Sequence, residues 1–227
     1  MTLLPGRWQD HVRDLPQVDA IITDPPYGAR THDDAALAKH MMDGAGRETR
    51  GRINYSSWDA ADVYEFVTSF QDINRGWWFV LTSHDLIPAW DGAYRAVGLY
   101  SFAPVPFISK RPRLVGDGPA SWTCYGMAAR PRSTEFSRWG CLPGAYLPGA
   151  KDMDAQVVGA KPEWLMRAIV RDYTRPGDLV LDPCAGGATT LLAAEKEGRR
   201  AIGCEVDPET FAKATKRLER PRNVEMF

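Results

Sequence analysis

Residues 176 to 209, PGDLVLDPCAGGATTLLAAEKEGRRAIGCEVDPE, restrict the fold of this chain more than any other stretch. Leu179 to Leu181 form the short apolar run of a buried strand, Thr189 to Glu197 carry helical spacing, and Ala201 to Cys204 form a second buried run. A strand, a helix and a strand in so short a span make a βαβ unit, which demands a parallel sheet covered by helices. Gly186 and Gly187 permit the tight turn between the first strand and the helix. Tight βα turns need glycine whatever they hold, so the turn alone says little. Glu205 changes that: it closes the second strand about 20 residues on, where a carboxylate can accept the ribose hydroxyls of an adenosine. No G-x-x-x-x-G-K-[ST] occurs, so a nucleoside triphosphate is not the natural ligand.

A second unusual stretch lies early. In AIITDPPYG, the run from Val18 to Ile22 reads as a strand buried on both faces, and Asp24-Pro25-Pro26 cannot continue a ladder because proline lacks the N–H. The quartet Asp24 to Tyr27 therefore sits at a strand's carboxyl end, where open α/β sheets bind ligands, and the prolines hold it stiff. Between and around the two stretches, strand and helix signals alternate. A helical turn is expected around Asp10 to Leu15, and a helix capped by Asp59 runs through Phe70. GWWFVLTS forms a buried strand, a helix follows near Ile87 to Val97, and a strand near Leu99 to Ile108. SWTCYGMAA reads as one more strand, and helices are expected over Pro162 to Tyr173 and Pro208 to Leu218. Residues 28 to 58 are polar and weakly periodic, and a loop that long is expected to act as a mobile lid.

With 227 residues, 44% hydrophobic and 25% charged, the chain has room for one α/β domain and a modest insertion. No apolar run reaches the roughly 18 residues of a membrane helix, and MTLLPGRWQD lacks the parts of a secretory signal, so a cytoplasmic protein with no membrane partner is expected. Cys124, Cys141, Cys184 and Cys204 form no C-x-x-C pair, the histidines are dispersed, and reduced thiols without a metal site are the expectation.

The net charge of -1 excludes a protein that coats nucleic acid indiscriminately, yet the charge is uneven. From Phe107 to Gly140, Lys110, Arg111, Arg113, Arg130, Arg132 and Arg138 face only Asp117 and Glu135, and Trp122, Tyr125, Phe136 and Trp139 lie among them. Cations with flat rings suit phosphates and unstacked bases. The same composition also describes a solvated basic face with aromatic staples.

Taken together, DPPY, KPEWLMRAIV, VLDPCAGGATT and GCEVDPE, in that order, resemble the DNA amino-methyltransferases of the permuted β type. The resemblance spans most of the chain and is similar to compact phage-borne members. It implies a doubly wound, mostly parallel, seven-stranded Rossmann-like sheet with one antiparallel strand, in a single domain over residues 1 to 227. S-adenosylmethionine is the implied cofactor, giving S-adenosylhomocysteine, with no metal. Double-stranded DNA is the implied partner, in a bacterial or phage setting, and the oligomeric state is left open. Carried over residue by residue, Asp24, Pro25, Pro26 and Tyr27 are catalytic, and Lys110, Arg111, Arg113, Arg130 and Arg132 are DNA-binding. Lys161, Pro162, Asp182, Pro183, Cys184, Ala185, Gly186, Gly187, Thr189, Thr190 and Glu205 hold the cofactor, and residues 107 to 155 form a short target-recognition insertion. Two departures stand out: Cys184 and Ala188 replace an aromatic and a glycine in the cofactor block, and Val157 replaces the histidine ahead of Lys161 and Pro162.

The implied chemistry accounts for the stiff quartet. An adenine amine is a poor nucleophile because its lone pair is delocalised into the ring. Two acceptors, the Asp24 carboxylate and the Pro25 carbonyl, can each take one N–H and aim the lone pair at the methyl group. Tyr27 stacks on the base, which must first leave the duplex. Cysteines 184 and 204 are packing residues in this reading. Cytosine N4 methylation, methylation of RNA or protein amines, and an inactive DNA-binding scaffold are the competing readings, with adenine N6 preferred because cytosine enzymes more often carry Ser in place of Asp24.

Overall fold

The computed structural model describes residues 1–30, 57–113, 121–133, 139–149 and 161–220, with the backbone alone at 111–113 and 121. Strand β1 (Thr2–Pro5) and helix α1 (Trp8–His11) lead to β2 (Val18–Thr23). Helix α2 (Ala60–Phe70), β3 (Asn74–Thr82) and α3 (Ile87–Ala96) follow. Next come β4 (Tyr100–Ser101), β5 (Val105–Arg113) and β6 (Ser121–Arg130). Helix α4 (Glu163–Tyr173), β7 (Leu179–Asp182), α5 (Thr189–Lys196), β8 (Arg200–Glu205) and α6 (Pro208–Glu219) complete the described chain.

The strands form one sheet in the order β1-β8-β7-β2-β3-β6-β4, with β5 also on β6. β1, β8, β7, β2 and β3 are parallel to their neighbours, and β6 is antiparallel to β3, β4 and β5. β6 is thus the single reversed strand. β4 and β5 share its outer edge end to end, so eight strands fill the seven places expected. The strand anticipated near Leu99 to Ile108 is split because Pro104 can donate nothing to a ladder, and the register slips by one residue between Ser101↔Ala129 and Val105↔Gly126. The first helix also begins at Trp8, ahead of the expected Asp10 to Leu15 turn.

Period-two alternation sends each strand's residues into two cores, which is why the runs read as continuously apolar. Ala20, Ile22, Phe79, Leu81, Val180 and Ala201 pack under α4, α5 and α6. Val18, Ile21, Trp78, Val80, Leu179 and Leu181 pack under α1, α2 and α3, where Trp8, Phe66, Phe70 and Trp90 form an aromatic cluster. Helix α2 starts at Asp59, whose carboxylate accepts from Ala61 N and Asp62 N, as its sequence position requires. Among the described residues no helix is long and apolar enough to cross a membrane.

Most of the expected lid, residues 31–56, lies outside the described residues, as does Val157. Of the stretch assigned to an insertion, the part up to Arg113 and residues 121–130 are strands of the main sheet.

Candidate active site

β2 and β7 lie side by side at the centre of the sheet, and the order of connections reverses between them. Such a switch point opens a crevice beyond the strands' carboxyl ends. The early quartet follows β2 and the glycine turn follows β7, so the fold brings together motifs far apart in the chain. Thr23 Oγ1 donates to Asp182 Oδ1 at 2.7 Å across this seam, and Cys184 N donates to the same oxygen at 3.2 Å. Asp182 is 2% exposed, and burial pushes its carboxyl up to about 6 against the lowering effect of hydrogen bonds from Thr190, Thr23 and Cys184. Asp182 therefore works as a staple between the two motif segments.

The quartet is held from several sides. Tyr27 O accepts from Trp58 N at 3.1 Å, and Gly28 N donates to Ser83 Oγ at 3.1 Å, fixing the loop to the end of β3. The Tyr27 hydroxyl meets Cys124 Sγ on β6 at 2.9 Å. Burial first, then the Asp24 carboxylate and the Cys124 thiol, raises the Tyr27 phenol well above its ordinary value, so the ring stays neutral. Lys161, just ahead of α4, places Nζ 2.5 Å from Asp24 Oδ2 and 4.9 Å from the centre of the Tyr27 ring. Asp24 Oδ1 is buried and has no hydrogen-bond partner among the described residues. A buried acceptor without a donor is costly unless something arrives to fill it.

The turn after β7 is tied to the acid after β8. Gly186 N donates to Glu205 Oε2 and Asp207 N to Oε1, each at 2.8 Å, which fixes the plane of the carboxylate. Gly186 has φ +51°, and a side chain there would project into open space, leaving its backbone accessible from the crevice. Burial raises the Glu205 carboxyl, and those N–H donors hold it back. Ala188 carries the turn into α5 with φ 60° despite its side chain. Arg217 of α6 reaches over to Gly187 O and to Thr189 Oγ1 at 3.0 Å, bracing the turn. Cys184 and Cys204 are raised by burial, Cys204 to about 12, so neither is a thiolate.

The crevice thus gathers Asp24, Tyr27, Lys161, Gly186 and Glu205, while Pro25, Pro162, Pro183, Ala185, Thr189 and Thr190 are buried supports around it. The basic residues divide into two groups. β6 pairs Tyr125 with Thr82 at the carboxyl end of β3 and Ala129 with Trp78 at its middle, so β5 and the beginning of β6 overhang the crevice end. Lys110, exposed, and the backbone of Arg111 and Arg113 lie there; the side chains of those two arginines lie outside the described residues. Arg130 and Arg132 lie at the opposite end of the sheet. Arg130 stacks on Trp77, Tyr100 and Phe102 within 5.9 Å, and Arg132 on Tyr100 at 5.3 Å. They are the aromatic staples of the alternative reading, and the fold does not bring them to the crevice.

Cys124 and Arg217 were not foreseen: they act through contacts between distant elements, for which the sequence holds no spacing signal, whereas Ser83 was legible as one of the polar residues ending GWWFVLTS.

Residues 139–216 match the family model described as DNA methylase. Over 59 residues the chain is 44% identical to the type II methyltransferase M2.DpnII of Streptococcus pneumoniae, which covers 26% of this chain and 22% of that protein. It is 42% identical over 59 residues to the DNA adenine methyltransferase YhdJ of Escherichia coli strain K12, covering 26% and 20%. The matched stretch thus spans about a fifth of these curated relatives. By fold the likeness is nearly complete: a complex of M1.HpyAVI with SAM superposes with a TM-score of 0.66 at 21% identity, over 95% of this chain and 98% of that one. The cytosine-N4-specific PvuII DNA methyltransferase gives 0.66 at 16% identity, over 98% and 87%.

Proposed function

We propose that this chain, a relative of the DNA methylases in sequence and in fold, transfers a methyl group from S-adenosylmethionine to the exocyclic N6 amine of an adenine in double-stranded DNA. The observation that carries the reading is the pairing of two half-sites at one switch point. A buried carboxylate oxygen on Asp24 lacks a donor among the described residues, and it sits beside a glycine turn whose backbone is tied to Glu205.

The residues present fit the cofactor. Asp24, Asp182 and Glu205 make the crevice acidic, with Lys161 as the cation at its catalytic side, so a ligand carrying a sulfonium and an ammonium finds opposite charge. Gly186 leaves room for close approach, Glu205 is oriented for ribose hydroxyls, and Val206, 56% exposed, offers an apolar surface beside it. When bound, the cofactor supplies an electrophilic methyl group. Asp24 Oδ1 and the Pro25 carbonyl each accept one amine N–H, which frees the nitrogen lone pair for in-line attack, and the Tyr27 ring supports the base outside the helix. Lys110 and the exposed Trp122 face the duplex from the β5–β6 overhang, and Arg111 and Arg113, on the same strand as Lys110, are further candidate phosphate contacts. The adenine enzyme named among the relatives favours N6; the cytosine-specific enzyme of the same fold keeps cytosine N4 as the second reading. A DNA substrate puts the protein in the cytoplasm of a bacterium or of a phage-infected cell.

The test is incubation of the purified chain with tritiated S-adenosylmethionine and mixed-sequence duplex DNA, followed by digestion to nucleosides and chromatography. Label in N6-methyl-2′-deoxyadenosine supports the reading, label in N4-methyl-2′-deoxycytidine selects the second one, and no label in DNA overturns both.

A further inference from the structure

Lys161 touches both parts of the catalytic quartet that a target base needs. Its ammonium lies 2.5 Å from Asp24 Oδ2 and 4.9 Å from the centre of the Tyr27 ring, while Asp24 Oδ1 is buried without a donor among the described residues. The lysine side chain is 12% exposed and the aspartate 23%, so this is a sheltered pair rather than a surface one. Among the described residues, the side-chain bonds found for Gly186, Gly187 and Thr189 go to Glu205 and Arg217. The anchor is firm as well, since Pro162 is buried and accepts from Met166 N at the start of α4.

We propose that Lys161 is a positioning residue for the catalytic carboxylate and not a cofactor ligand: it pins Oδ2 and thereby presents Oδ1 alone to the target amine. A carboxylate turns easily about its Cβ–Cγ bond, and either oxygen could otherwise take the amine. With Oδ2 held in a charge-assisted bond, the plane of the group is set and the second oxygen has one direction. The same ammonium rests on Tyr27, whose hydroxyl is fixed by Cys124, so carboxylate and ring are held at one mutual angle. The acceptor and the stacking surface are thus locked together before the base arrives, which is the preorganisation that in-line transfer requires. This inference rests on the reading of the chain as an amine methyltransferase.

The experiment compares wild type, Lys161→Met, Lys161→Gln and Lys161→Arg in three measurements: kcat and KM for methyl transfer to duplex DNA, S-adenosylmethionine affinity by calorimetry, and thermal melting. A misdirected acceptor should lower kcat by roughly ten- to hundredfold in the uncharged variants. Cofactor affinity should stay within about twofold, because only the catalytic carboxylate is disturbed. Lys161→Arg should recover most of the rate. Lys161→Gln, which keeps a donor without a charge, provides a second uncharged protein if Lys161→Met does not fold. An unchanged kcat in a folded uncharged variant overturns the inference. So does a loss of cofactor affinity that accounts for the lost rate, which would return Lys161 to the cofactor, and so does a rise in DNA KM alone, which would make it a phosphate contact. If wild type methylates no DNA, the functional reading fails and this inference falls with it; an active wild type with indifferent variants overturns this inference alone.

Discussion

The hydroxyl of Thr23 donates to the carboxylate of Asp182 at 2.7 Å, joining residues 159 positions apart at the point where the Asp24 to Tyr27 quartet and the glycine turn meet. A carboxyl whose folded pKa, about 6, exceeds its ordinary value of 3.8 takes up protons on folding. Its contribution to stability is therefore greatest below the lower value and fades as pH climbs to the upper one. Thr23→Val removes one of the donors that favour the ionised form, so its cost should be larger at pH 8, where Asp182 is charged, than at pH 4. Urea titration at the two pH values should show a loss of about 1 to 3 kcal/mol at pH 8. Equal losses at both would mean that Asp182 does not titrate between them.

Asp24→Ala deletes the acceptor while leaving Tyr27, both prolines and the glycine turn. Methyl transfer should fall by at least about a hundredfold, with S-adenosylmethionine binding largely kept. Melting should fall, because the sheltered Lys161 ammonium is left without its carboxylate. Near-equal methyl incorporation by the two proteins would exclude Asp24 from the reaction.

Glu205 accepts from Gly186 N and Asp207 N. Glu205→Ala should weaken cofactor binding by roughly 1 to 3 kcal/mol, the cost of lost hydrogen bonds to a charged group. Glu205→Gln, which keeps one carbonyl acceptor, should lose less. Calorimetry that ranks the two variants as equals would detach the side chain from the ribose.

The two groups of basic residues should separate cleanly in salt. Alanine at Lys110, Arg111 or Arg113 should make the dependence of DNA affinity on salt shallower by about one unit per phosphate contact. Alanine at Arg130 or Arg132 should leave that slope alone and lower stability, by about 0.5 to 1 kcal/mol for each lost cation–π contact. A slope change from Arg130 would mean that DNA wraps around to the far end of the sheet.

On β6, a side chain at Gly126 would lie 2.2 Å from the Phe79 ring on the neighbouring strand. Gly126→Ala must displace Phe79, which packs on Tyr173 at 4.7 Å between centroids, and overpacking of this kind costs about 1 to 3 kcal/mol. A lowered melting temperature with cofactor affinity intact is expected; an unchanged melt would show that the ring has room to retreat.

Much of this arrangement was legible in the chain itself. The runs at Val18 to Thr23, Gly76 to Thr82 and Leu179 to Asp182 are apolar on both faces because helices cover both, and that is a local signal. Asp24 to Tyr27 and Gly186 to Glu205 were readable because each obeys a short-range rule about strand ends. The separation of Arg130 from the crevice was not legible for a physical reason: Trp122 and Arg130 lie on the same strand, and at about 3.4 Å per residue they are roughly 27 Å apart. Charge composition carries no strand direction. The attachment of Lys161 to Asp24, and of Arg217 to Gly187, depends on how layers stack, which no periodicity encodes.

The adjacency of β2 and β7, with β1 beside β8, also governs how the molecule comes into being. During synthesis β2 acquires β3 early, but its other edge stays open until β7 emerges, and β1 waits longer still for β8. A growing chain therefore carries an apolar, unpaired strand edge through most of its production, a surface prone to pair with the wrong partner. The Asp24 to Tyr27 quartet exists from the outset but gains the glycine turn and Glu205 beside it only when that edge is closed.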